Sequence, residues 1–199
     1  MTTIEYIAFA KSTPKHFVSM PNGETLQPFA ASIRNLVESR IRYSKSFPTR
    51  LTPTEDSTRR WLHSIAANPR RMLWGIIDGT TEVGCVGLMV EYDSTPTLDM
   101  VCRFHRLPPG IMTHACATVE ALLQTLGEPL VDLRVMGSND HAIRFYERLG
   151  YQFVGADAGD WCQDGDVLRL VTTYKVEDKA AASNDNCLWR MRKLLCNPI

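Results

Sequence analysis

Three residues could do acid–base chemistry in this chain: Tyr146, a phenol on a short apolar helix, and the carboxylates Asp99 and Glu91 on strands. Asp99 lies just before a proline-rich break, and strand alternation is expected to put Asp99, Val101 and Arg103 on one face. Metal chemistry finds no ligand set. His63, His105 and His141 lie far apart on different elements and are expected on the surface or at caps. The six cysteines (85, 102, 116, 162, 187 and 196) form no Cys-x-x-Cys pair, so neither a zinc site nor a disulfide framework is expected. Arg40, Arg42, Arg59, Arg60, Arg70 and Arg71 cluster in the first half, where either a charged ligand or plain solvated helix faces would account for them.

The elements that must position these residues follow from periodicity and punctuation. Residues 3–10 have strand content, and Lys11–Gln27 read as loop. A helix is expected from Pro28 to about Tyr43, with Phe29, Ile33, Leu36, Val37 and Ile41 on one face. A second helix follows Thr54 and ends at Asn68-Pro69. Met72–Ile77 and Val83–Tyr92 flank Asp78-Gly79 as a hairpin, and a strand runs from Leu98 to Phe104. A helix from Ile111 to about Leu126 leads into a strand over Leu130–Met136. Ser138 or Asn139 caps the next helix, whose stripe is Ala142, Phe145, Tyr146 and Leu149, and Gly150 ends it. Strands are expected at Tyr151–Val154 and Asp166–Val176. The order is that of a mixed α/β domain without internal repeats. Glu177–Asn186 reads as a linker, and Cys187–Cys196 as a short basic amphipathic helix.

Composition narrows the classes. With 199 residues, one domain over 1–176 and a tail over 177–199 are expected. Lys+Arg and Asp+Glu both number 22, so a basic nucleic-acid surface is not expected. No apolar run reaches the ~20 residues of a membrane span. The start, Met1-Thr-Thr-Ile-Glu-Tyr, has no basic-then-apolar pattern, and a cytoplasmic location is expected.

The pattern Asn139-x-x-Ala142-x-x-x-Tyr146-x-x-x-Gly150-Tyr151 closely resembles the fourth helix and following strand of the GNAT (GCN5-related) N-acetyltransferase superfamily. Ile33-Arg-Asn35, the prolines at 48 and 53, Arg60-Trp61, Asn68-Pro-Arg-Arg and the hairpin around Asp78-Gly79 resemble one branch of it. That branch holds acetyltransferases of nucleotide-linked aminosugars, of ribosomal proteins and of small molecules. The resemblance covers about residues 3 to 176. It implies a mixed, mostly antiparallel sheet with one parallel, splayed strand pair, flanked by helices.

The resemblance also implies a reaction and a site. An acyl group passes from acetyl coenzyme A, or another acyl coenzyme A, directly to the amine of a small molecule. The family's donor loop follows Gln/Arg-x-x-Gly-x-Gly/Ala, and its amides receive the pyrophosphate at a helix N-terminus. The matching residues are Gly110, Ile111, Met112 and Thr113, but only Gly110 keeps the pattern. Leu107 replaces the polar residue, and Pro108 and Pro109 have no N–H to donate. Arg103 or Arg106 would then supply charge. Tyr146 matches the general acid that protonates the leaving thiolate, or else is a core aromatic. Asn139 contacts the donor, or else only caps its helix. Asp99 or Glu91 serves as general base, or else is a solvated carboxylate. Thr172-Thr-Tyr174 would line the acceptor side. A carrier-protein donor, a non-catalytic binding subunit and a homodimer remain open.

Overall fold

The computed structural model describes residues 18–19, 25–28, 33–50, 52–78, 81–90, 95–104, 109–164 and 167–195. The strand expected at 3–10, Glu91 and His105–Pro108 lie outside them. The strands are β1 (Val18–Ser19), β2 (Thr25–Pro28), β3 (Thr49–Arg50), β4 (Arg71–Asp78), β5 (Thr81–Met89), β6 (Thr97–Arg103), β7 (Leu130–Met136), β8 (Gln152–Asp164), β9 (Val167–Val176) and β10 (Cys187–Leu194). The helices are α1 (Ile33–Arg42), α2 (Glu55–Ala67), α3 (Ile111–Thr125) and α4 (Asp140–Arg148). None of the described helices is long and apolar enough to cross a membrane.

The chain forms two compact units, one of residues 1–39, 54–131 and 195–199, the other of residues 40–53 and 132–194. In the first, strands run in the order β1-β2-β4-β5-β6, all antiparallel. Trp74, Ile76, Val86 and Leu88 from this sheet are buried, as are Ala115, Val119 and Leu123 of α3. Thr54 begins α2 with a reciprocal pair: its hydroxyl accepts from the Ser57 N–H, and the Ser57 hydroxyl accepts from the Thr54 N–H. The first expected helix is helical over Ile33–Arg42, but its expected first residue, Pro28, belongs to a strand. Thr25–Pro28 is strand, paired with Trp74–Ile77, because a proline at a strand end needs no ladder donor.

In the second unit the order is β7-β10-β8-β9-β3. Here the tail departs from expectation. Cys187–Leu194 is not a helix but a strand, antiparallel to β8, with Trp189 opposite Ala156 and Cys187 opposite Ala158. Cys187, Leu188, Trp189 and Met191 are buried on both faces, which erases the alternation that marks a half-exposed strand. The Arg192 guanidinium donates to both oxygens of Asp132 on β7, at 2.6 and 2.8 Å, and this holds the arginine firmly charged. The preceding segment is not a loose linker either. Ala182 is fully buried, and its carbonyl accepts the Trp189 indole N–H at 2.7 Å. β8 runs ten residues past the expected Val154, because Gly155-Ala-Asp-Ala-Gly159 reads as loop in composition yet fits small side chains beside β10 and β9.

Candidate active site

In the first unit, β6 carries an irregularity that sequence alternation missed. Its ladder with β5 pairs Cys85 with Cys102 and Gly87 with Asp99, so Met100 and Val101 together oppose Val86. This is a β-bulge, and Met100 takes a φ of 50°. A left-handed backbone costs a non-glycine residue about 1–2 kcal/mol. The bulge also shifts the faces. Asp99 shares a side with Cys102, not with Val101 and Arg103 as alternation suggested. The Met100 carbonyl accepts the Cys85 thiol at 3.4 Å.

Asp99 is not an unengaged carboxylate. Its Oδ2 forms an ion pair with the guanidinium of Arg71 on β4, two strands away. The carboxylate that the sequence offers as general base is therefore engaged by a guanidinium. Glu91 lies outside the described residues.

Beyond β6 the chain reaches α3 through Gly110, whose φ of 98° only glycine adopts freely. Helix geometry leaves the N–H groups of Ile111, Met112 and Thr113 without partners in their own helix. No acidic residue lies in that first turn. Four consecutive N–H groups, from Gly110 to Thr113, and the positive end of a 15-residue helix suit a pyrophosphate. The His114 ring lies 3.8 Å from where a Cβ on Gly110 would sit.

The second unit holds the other two expected residues on one helix. The Asn139 side chain accepts the Ala142 N–H at 3.2 Å and so caps α4. Tyr146 lies two turns on and is buried, with its ring edge-on to Phe145 at 5.1 Å and Tyr151 at 5.8 Å. Gly150 ends the helix at a φ of 91°, as its motif suggests. His63 and His141 are exposed, and no described group of three or more His, Cys, Asp or Glu is placed to hold a metal. Thr172, Thr173 and Tyr174 are exposed on β9.

Cys85 is no nucleophile. Burial, then Cys102, Glu82 and Asp99, push its thiol well above the usual value of 9.0. The sign for stability follows. From about pH 8.5 upward the unfolded chain releases this proton while the folded chain keeps it, so stability falls with rising pH. Denaturant titrations from pH 7 to 10 should show a shallower fall for Cys85→Ala than for the wild type. Equal slopes would contradict the burial argument.

A model of the GNAT acetyltransferase domain matches residues 24–152, well over half of the chain. The chain belongs to the GNAT acetyltransferase family. It is thus an acyl-transferring enzyme with the GNAT fold, an α/β architecture whose mixed sheet includes one parallel pair. A probable GNAT acetyltransferase from Chromobacterium violaceum superposes with a TM-score of 0.68 at 16% identity, covering 91% of this chain and 92% of the other. An acetyltransferase from Salmonella typhimurium that modifies the N-terminal serine of ribosomal protein L7/L12 gives 0.67 at 10% identity, covering 91% and 100%. RimL, an L7/L12 α-N-protein acetyltransferase, in complex with coenzyme A gives 0.64 at 10% identity, covering 90% and 98%. At these identities the likeness is one of fold. No curated protein sequence matches the chain. GNAT acetyltransferases use acetyl coenzyme A, in keeping with the α3 N-terminus described above.

Proposed function

We propose that this GNAT enzyme transfers an acetyl group directly from acetyl coenzyme A to the amine of a small molecule. The observation that carries the reading is the α3 N-terminus, where the left-handed Gly110 leads into uncapped amides. The amides at Gly110–Thr113 would hold the pyrophosphate. The bulge interrupts the β5–β6 ladder and would turn a backbone N–H to the thioester carbonyl, polarising it. The amine nitrogen then attacks that carbon, the C–S bond breaks, and the Tyr146 hydroxyl supplies the proton to the sulfur. The amine loses its proton to water. The transfer is direct, with no acyl-enzyme on the pathway.

A peptide α-amine is the second acceptor reading, favoured by fold neighbours that act on L7/L12. Thiol release from acetyl coenzyme A should be measured against two panels, small amines and short acidic peptides with free N-termini. Turnover with small amines alone supports the first reading, and turnover with peptides alone supports the second. No release with either panel would refute both.

Gly110→Pro tests the donor turn. Proline fixes φ near −65°, far from the 98° seen here, and removes one N–H donor. Coenzyme A affinity should fall by at least ~100-fold, equivalent to losing one or two charge-assisted hydrogen bonds. Retained affinity in a folded variant would place the phosphates elsewhere.

A further inference from the structure

We propose that Arg71 is a positioning residue for acyl transfer, acting through Asp99 to hold the β6 bulge in its strained form. The proposal rests on the reading of β6 as the strand beside the thioester. Arg71 and Asp99 sit on β4 and β6 with all of β5 between them, roughly 9–10 Å of backbone spacing. Only a long side chain spans that gap, and only over an open lane. On β5, Gly87 puts no side chain on the face that Arg71 and Asp99 share, and the nearest side-chain atom to its Cβ position is Leu73 Cδ1, at 3.3 Å. Gly87 pairs with Leu73 on one side and Asp99 on the other, and a Cβ there would sit 2.8 Å from the Asp99 carbonyl and 3.1 Å from that of Met72. The guanidinium is steadied from above by the Trp61 ring of α2, 6.0 Å from its centroid. One side chain thus ties α2, β4 and β6 together.

What it ties down is specific. Asp99 is the last residue in register before Met100, whose positive φ persists only where the surroundings hold it. The Cys85 thiol holds the Met100 carbonyl from the β5 side. The ion pair holds the chain one residue earlier. The pair is partly exposed, with 23% and 30% of the two side chains open, so its contribution to global stability is small. Its effect belongs in geometry, where an error of about 1 Å costs up to ~100-fold in rate.

The experiment uses the full chain, acetyl coenzyme A and the best acceptor from the panels above. Arg71→Met should lower kcat by roughly 10–100-fold with KM for both substrates within about twofold and the melting temperature nearly unchanged. Arg71→Lys should recover most of kcat, since the ion pair uses a single guanidinium nitrogen. Asp99→Asn should match Arg71→Met, and the double variant should be no worse than either single one. Unchanged kcat in Arg71→Met, multiplying effects in the double variant, or a rise in KM alone would overturn the proposal. So would a large loss of melting temperature that Arg71→Lys does not restore. A wild-type chain without turnover refutes the reading of the site and this proposal with it, whereas an active wild type with an indifferent Arg71→Met refutes this proposal alone.

Discussion

Tyr146→Phe is expected to lower turnover by roughly 10²–10⁴-fold, the usual share of general acid catalysis, with little change in stability. The ring is buried, and its edge-on contacts with Phe145 and Tyr151 use carbon atoms that phenylalanine retains. Only the hydroxyl is lost. A phenol O–H can donate its proton to a departing thiolate, so the loss falls on the transition state and donor affinity should hold. Steady-state kinetics beside calorimetry and a thermal melt give all three readouts. A destabilised variant with intact specific activity would make Tyr146 a core aromatic and nothing more.

Ending the chain after Asn186 is expected to abolish cooperative folding of the second unit. The lost segment is no appendage: β10 lies between β7 and β8, and its removal would leave two central ladders unpaired. Trp189 carries much of the packing. It is 2% exposed, meets the Phe153 ring at 4.7 Å, and donates its indole N–H to Ala182. Trp189→Ala alone should cost about 3–5 kcal/mol, the range for a buried aromatic. Denaturant unfolding followed by tryptophan fluorescence and circular dichroism measures both variants. A truncated chain with a sharp, wild-type-like transition would show that β10 is dispensable.

The parts of the fold that announced themselves were those set by local chemistry. Thr54 and Asn139 are caps because their short side chains reach amides three residues on, and Gly150 ends α4 because the turn needs a positive φ. β10 was hidden for the opposite reason. A strand buried on both faces has no period of two, and Cys-Leu-Trp-Arg-Met-Arg serves a short helix equally well. The second half of β8 was hidden by its own glycines and aspartates, one of which, Asp157, is buried and paired with Lys175 and Arg190.

The site divided in the same way. Asn139 and Tyr146 stood out through a motif with fixed spacing, and Gly110 as the one residue that keeps the donor-loop pattern. Nothing around Met100 marks it as a bulge, because methionine is not a residue that favours a positive φ. Arg71 and Asp99 are 28 positions apart in sequence and meet only because β4, β5 and β6 form a meander with a glycine between them. Asp99, the carboxylate offered as general base, gave no sign in the sequence of this partner.

The claim that the α3 N-terminus takes an acyl coenzyme A despite Pro108 and Pro109 is tested most directly by calorimetric titration of the full chain with acetyl coenzyme A, with Gly110→Pro in parallel. Binding in the micromolar to submillimolar range by the wild type, absent in a folded Gly110→Pro, is the predicted result. No heat from the wild type with millimolar acetyl coenzyme A would contradict it.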